Sequence, residues 1–197
     1  MKQYSEACEQ NRIPILAILR DSLSDRQNVL EVGSGTGQHA VYFASQLPHL
    51  RWFPSDLPAS HASINAWIDA AGLGNIERPL ALDVTRQQWP AQAFESVFSA
   101  NTTHIMSWPA VLGMFAGIGR LLVPGGIFCL YGPFNYNNHF TSPSNERFDG
   151  WLKARDPHSG IRNFEDLDQL ARGHGLLLQK DHVMPANNRL LVWEKTG

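Results

Sequence analysis

The stretch Asn28-Val29-Leu30-Glu31-Val32-Gly33-Ser34-Gly35-Thr36-Gly37-Gln38-His39 decides the fold. Asn28 to Val32 reads as a buried strand that stops at Gly33. Gly33 to Gly37 reads as a turn, and Gln38 to Leu47 as a helix closed by Pro48. Glycines reach positive φ and let a ligand lie directly on the backbone, where a Cβ would collide. A strand, a glycine turn and a helix in that order are the context of a nucleotide-binding loop. A P-loop requires Lys and then Ser or Thr after its last glycine, and Gln38-His39 supplies neither. The dinucleotide pattern G-x-G-x-x-G requires a third glycine at position 38, where this chain has Gln38. A bare turn is the structural alternative.

Working outward, a helix is predicted from Pro14, a residue suited to a first helical position, to Leu23, with Leu16, Leu19 and Leu23 on one face. After the glycine turn and its helix come a strand over Arg51–Ser55 and a helix with the stripe Ile64, Trp67, Ile68 and Ala71, ended by Gly72. Strands follow at Arg78–Leu82 and Phe94–Ala100, cut by Asp83 and Asn101. Ser107 and Pro109 open a helix whose buried face is read as Trp108, Leu112, Phe115 and Leu122, with Pro124-Gly125-Gly126 as its breaker. Beyond a fifth strand at Ile127–Tyr131, a turn-rich segment covers Gly132–Asn145. Helical patterns at Glu146–Ala154 and Phe164–His174 precede two last strands, Leu176–Met184 and Arg189–Glu194.

Strands alternating with helices imply parallel pairing, since each crossover needs an intervening helix. The last two strands, joined by a short loop, imply an antiparallel hairpin at one edge. The fold class is therefore α/β, a doubly wound and mostly parallel sheet. Ligands in such sheets bind at the carboxyl ends of the strands. Polar residues end four of them here: Glu31, Asp56, Asp83 and Asn101.

The chain has 197 residues, 43% hydrophobic and 17% charged, with a net charge of −2. These values exclude disorder, collagen and coiled coil. One domain over residues 1–197 is expected, with residues 1–24 as a helical cap and 132–162 as a lid. No basic run tracks phosphates, so no nucleic acid is expected. Two cysteines, Cys8 and Cys129, lack metal-ligand spacing, and no metal is expected. The uncharged stretch Ser96–Gly119 is long enough for a membrane, but Asn101, His104 and Pro109 interrupt it. A cytoplasmic monomer or homodimer is the resulting expectation.

The spacing of Gly33, Gly35 and Gly37, with Glu31 just before them, resembles motif I of class I S-adenosylmethionine-dependent methyltransferases. That resemblance implies a Rossmann-like sheet of seven strands and a cofactor set of Glu31, Gly33, Ser34, Gly35, Gly37, Asp56, Leu57, Asp83, Val84 and Asn101. Glu31 would balance the ammonium and sulfonium of the cofactor. Asp56, 19 residues after Gly37, falls at the interval where an acid accepts from ribose hydroxyls. Asp83, between Leu82 and Val84, resembles the acid that accepts from the adenine amino group. Taken alone, Asp56 reads equally as a helix cap and Asp83 as a turn acid.

Several further segments, in order, carry a narrower likeness: residues 9–16, Asn101-Thr102-Thr103-His104-Ile105, Leu130-Tyr131-Gly132-Pro133-Phe134, Asn145 with Phe148-Asp149, Arg155-Asp156-Pro157, Gly160-Ile161-Arg162 and Pro185-Ala186-Asn187-Asn188. Through them the chain resembles an uncharacterised family, a domain of unknown function whose animal members are called methyltransferase-like 26. The resemblance implies a methyltransferase fold and S-adenosylmethionine, with no particular substrate.

Asn101 and His104 are the candidate catalytic residues. His104, with an ordinary pKa near ~6.5, is placed to take a proton from an attacking group, or else hydrogen-bonds a backbone group under the next helix. Arg155 and Arg162 in the lid suit a carboxylate or phosphate, which points to an anionic small acceptor. The alternative is that they brace the lid. Asn11, Arg12 and Tyr131 complete the candidate substrate side. Three functions follow: a small-molecule methyltransferase, a silent S-adenosylmethionine-binding or interaction protein, and a nicotinamide oxidoreductase, which Gln38 and the terminal hairpin disfavour.

Overall fold

In the computed structural model, which describes residues 1–197, strand β1 (Asn28–Val32) lies third from one edge of a seven-stranded sheet. Its neighbours are β2 (Arg51–Asp56) and β4 (Phe94–Ala100), both parallel to it. The strand order is β3-β2-β1-β4-β5-β9-β8, where β3 is Leu80–Ala81 and β5 is Leu122–Gly132. Strands β8 (Leu176–Met184) and β9 (Asn188–Lys195) form the antiparallel hairpin expected from the sequence, and β9 also pairs antiparallel with β5.

Alternate residues of the central strands enter opposite layers, as the two-residue strand period requires. Val29, Phe98 and Cys129 join the layer built with α1 (Glu6–Ser22), α2 (Gln38–Gln46) and α3 (His61–Ala71). Leu30, Val97 and Phe128 join the layer built with α4 (Trp108–Leu121) and α6 (Phe164–Gly173). Each layer holds 21 buried residues, so both faces are covered and the central strands are apolar on both sides. The stretch 96–119 divides between β4, a loop and α4, and no helix is long and apolar enough to cross a membrane.

Several boundaries differ from the sequence reading. Helix α1 starts eight residues before Pro14 and carries that proline inside it. The extension is held by Gln38, whose side-chain amide accepts from the Ser5 N–H and donates to the Ser5 carbonyl and to Glu9. Strand β3 is only two residues long. Trp108 and Leu112 are 36% and 40% exposed, because α4 turns Ala110, Val111, Met114 and Phe115 toward the sheet. Pro124-Gly125-Gly126 lies within β5 rather than between helix and strand.

Between β5 and α6 the chain leaves the sheet. It forms β6 (Phe134–Asn135), α5 (Pro143–Arg155) and β7 (Arg162–Asn163). Strands β6 and β7 pair with each other in a separate two-stranded parallel sheet, a pairing that residue patterning alone does not signal.

Candidate functional site

The strand order reverses between β1 and β4, and a cleft of about 1030 Å³ opens there at the carboxyl ends of the strands. Helix α1 closes one side through Cys8 and Asn11, and α5 closes another through Asn145 and Phe148.

The three glycines of the turn all have positive φ, and two of them are also crowded. A Cβ on Gly33 (φ +76°) would lie 2.6 Å from the Thr102 methyl, and one on Gly37 (φ +93°) would lie 2.8 Å from the Ile64 backbone. Those two glycines admit β4's following loop and α3. A Cβ on Gly35 (φ +56°) would meet nothing within 4 Å. Gly33, Ser34 and Gly35 line the cleft, whereas Gly37 lies outside it, against α3.

Glu31 is also outside the cleft lining. It is 2% exposed behind the turn, where its Oε2 accepts from the Trp52 indole (3.0 Å) and the Ser34 hydroxyl (2.9 Å). Burial pushes its carboxyl up to about 7 despite those donors. Ser34 Oγ in turn accepts from the Ser55 N–H, so the carboxyl, the turn and β2 are locked together.

Asp56 ends β2 inside the cleft. Its Oδ2 accepts from the Gly35 N–H at 2.7 Å and its Oδ1 from the Leu57 N–H at 2.7 Å. Each oxygen keeps a lone pair free, since a carboxylate accepts at about four sites. Leu57 is half exposed at the cleft edge, and buried Val84 lines it. Asp83 lines it too, and accepts from the Thr85 hydroxyl (2.6 Å) and N–H (3.0 Å), which hold its carboxyl below the usual range. Asp83 is thus a turn acid and a cleft residue at once.

At the other end stand Asn101, His104 and Tyr131. Asn101 adopts φ +59°, a left-handed conformation that asparagine tolerates better than most residues, and its N–H bonds the Tyr131 carbonyl. His104 is 5% exposed, packs edge-on against Phe148 with ring centres 5.3 Å apart, and has no partner for Nδ1. Burial, reinforced by the Arg162 charge, lowers its pKa to about 4. It is therefore neutral at physiological pH and a weak base. Tyr131 is 3% exposed, and its hydroxyl accepts from Asn188 Nδ2 at 3.0 Å. Asn11 lies in the cleft, and its Oδ1 meets His39 Nε2 at 2.7 Å.

The arginines do not converge on the cleft as expected. Arg12 pairs with Glu9 (2.7 Å) and lies over Tyr42. Arg155 stacks on Trp151 beside a separate, smaller pocket. Arg162 donates to the carbonyls of Thr103 (3.0 Å), His158 (2.8 Å) and Met106, tying the loop after β4 to the end of the 132–162 segment. A planar guanidinium satisfies converging carbonyls as well as it does an anion, so residue type alone did not distinguish the two roles. Sequence reasoning in turn assigned no role to Cys8, Asn145 or Asn188, all of which line the cleft. Only the fold brings α1, α5 and the β8–β9 connection together there.

The residues fit a nucleoside-bearing ligand: open space over Gly35, a carboxylate beside it, and apolar Leu57 and Val84 nearby. Solved structures with the same fold include an S-adenosylmethionine-dependent methyltransferase, SibL, in its apo form (TM-score 0.82, 22% identity, covering 97% of this chain and 56% of that one). Another is an O-methyltransferase family 2 protein from Planctomyces limnophilus in complex with apigenin (TM-score 0.84, 16% identity, 96% and 58%). A third is PigF with SAH (TM-score 0.76, 19% identity, 92% and 55%). This chain thus spans little more than half the length of each, and the likeness establishes the methyltransferase fold. The family model described as "Protein of unknown function (DUF938)" matches residues 2–195, and the chain belongs to that family.

Proposed function

We propose that the protein is an S-adenosylmethionine-dependent methyltransferase for a small-molecule acceptor, related to the proteins called methyltransferase-like 26 and working in the cytoplasm. The observation that carries the reading is the pairing of Asp56 with the Gly35 N–H at 2.7 Å beneath open space at the β1–β4 switch point. Asp56 would accept from the ribose hydroxyls with its free lone pairs. Gly33, Ser34 and Gly35 would lie against the ligand backbone-first, and Leu57 and Val84 would flank the adenine near Asp83. Glu31 would act from behind the turn by fixing Ser34 and Trp52 in place, and Gly37 by holding α2 against α3.

When bound, the cofactor supplies a methyl group on a sulfonium. The chain's own contribution is placement. Helices α1 and α5 wall two sides of the cleft, and Asn101 and His104 face the acceptor end. Alignment of the acceptor supplies much of the rate in such transfers. His104, neutral but weakly basic, would orient an acceptor proton more than remove it. That weakness is also what favours the second reading, cofactor binding without transfer.

Calorimetric titration with S-adenosylmethionine, against NAD(H), tests the reading. Micromolar binding of the first ligand alone is expected. Asp56→Ala should weaken it about 10- to 100-fold, the effect of losing one or two hydrogen bonds to a charged group. Asp83→Ala should weaken it less, since the Thr85 hydroxyl and N–H already occupy one of that carboxylate's oxygens. Binding of NAD(H) instead, or of neither ligand, overturns the reading.

A further inference from the structure

Charge is distributed unevenly along the cleft. Its lining contains Asp56 and Asp83 but no lysine or arginine. Both acids belong to the β2–β3 end. The opposite end is walled by Asn101, His104, Tyr131, Asn145 and Asn188, and its histidine is neutral. The nearby cations are engaged elsewhere: Arg162 with backbone carbonyls, Lys153 with Asp149 (2.7 Å) and Arg189 with Asp181 (3.6 Å). Even the N-terminus of α5 is compensated, by the Ser142 hydroxyl on the Asn145 N–H and by Glu146 in the first turn. An anion entering here would lose water and gain no cation.

The hydrogen-bond inventory of this wall is specific. Asn145 directs Nδ2 to the Asn187 carbonyl (3.2 Å) and the Thr141 hydroxyl (2.9 Å). A carbonyl only accepts, which fixes the amide's orientation and leaves Oδ1 without a protein partner. Asn188 likewise directs Nδ2 to the Pro185 carbonyl (3.4 Å) and to the Tyr131 hydroxyl (3.0 Å), leaving its own Oδ1 free. Tyr131 Oη accepts from Asn188. Its O–H hydrogen is therefore left to donate to a ligand. Tyr131, Asn145 and Asn188 together offer one hydroxyl donor and two side-chain carbonyl acceptors, with no charge.

We propose that this end of the cleft selects an uncharged, hydroxyl-bearing acceptor, read by the Tyr131 hydroxyl and the Asn145 and Asn188 side-chain carbonyls, and excludes carboxylates and phosphates. The proposal replaces the anionic acceptor expected from Arg155 and Arg162, and it rests on the methyltransferase reading for the role of the bound molecule. The complementary ligand carries at least two hydrogen-bond donors and one acceptor.

The test uses full-length protein saturated with S-adenosylhomocysteine and matched probes in calorimetry: resorcinol against 3-hydroxybenzoate, and hydroquinone against 4-hydroxybenzoate. Each neutral probe should bind at least 10-fold more tightly than its carboxylate partner. Tyr131→Phe should weaken resorcinol about 5- to 10-fold, the effect of one hydrogen bond, while leaving S-adenosylhomocysteine affinity unchanged. Carboxylates that bind as tightly as their partners, absence of neutral binding, or an unchanged resorcinol affinity in Tyr131→Phe would each overturn the proposal. Should S-adenosylhomocysteine itself fail to bind, the methyltransferase reading falls. The same probes on the free protein then judge the wall's selectivity by the same criteria.

Discussion

Gly33 and Thr102 provide the sharpest check on how the turn is built. Gly33→Ala introduces a Cβ 2.6 Å from the Thr102 methyl, at a residue with φ +76°. The left-handed conformation costs a non-glycine residue about 1–2 kcal/mol, and overpacking adds about 1–3 kcal/mol, for a total of about 2–5 kcal/mol. Thr102→Ser removes the offending methyl but keeps the hydroxyl that bonds Ser99 at 2.7 Å. Alone it should cost only about 0.5–1.5 kcal/mol, as for one buried methyl. Combined, the two changes should recover the overpacking part, a favourable coupling of about 1–3 kcal/mol. Urea denaturation of the four proteins measures it directly. In thermal scans each recovered kcal/mol corresponds to ~2–4 °C for a chain of this size. If Gly33→Ala loses the same stability with or without Thr102→Ser, the close approach is not what demands glycine there.

Gly35→Ala should behave differently. With nothing within 4 Å of its Cβ, the stability loss stays at about 1–2 kcal/mol, while S-adenosylmethionine affinity falls at least 10-fold; an unchanged affinity argues against a ligand over Gly35. Glu31 has a folded-state pKa near 7 against an ordinary 4.5, so its protonated form is favoured by folding. Stability is then lost as pH rises from about 4.5 to about 7, by on the order of 2–3 kcal/mol, and Glu31→Gln should remove that slope in urea midpoints measured across the window. His39 and His104 act in the opposite sense: both pKa values are lowered to about 4, so their contribution is complete above about 6.5 and is lost as pH falls toward 4. His104→Gln should reduce the steepness of that acid limb and leave the His39 part, and an unaltered limb would refute the assignment. Arg162→Ala leaves three carbonyls short of their donor and should lower Tm by several degrees, with Arg162→Lys a partial rescue because an ammonium lacks the planar fork.

The sheet was largely legible in the chain because its information is local. The apolar runs at Asn28–Val32 and Phe94–Ala100 stop at residues that mark strand ends, and the turn at Gly33 follows directly. Helix α1 was misplaced because its start depends on Gln38, 33 residues from Ser5, whereas Pro14 carries a strong local signal for a first turn. The cofactor end of the cleft was readable for the same reason as the sheet: one short turn and two strand ends compose it. Its acceptor end was not. Asn145 and Asn187 meet across 42 residues, and Tyr131 and Asn188 across 57, with no periodicity to announce either meeting. The charge of Arg162 is written in the sequence, but the Thr103 and Met106 carbonyls it serves come from a segment that only the fold brings to it.

The pairing of β6 with β7 sets how this molecule is able to change over evolutionary time. It fixes the two ends of the α5 excursion side by side, about 4.8 Å apart in strand spacing. Residues inserted or removed between such fixed ends alter closure entropy slowly, by roughly 0.6 kcal/mol per doubling of length. The register of the seven-stranded sheet is untouched by them. One wall of the cleft is therefore open to replacement while the glycine turn and Asp56 stay as they are, so descendants of one ancestral chain can part company in what they recognise without first relearning how to fold.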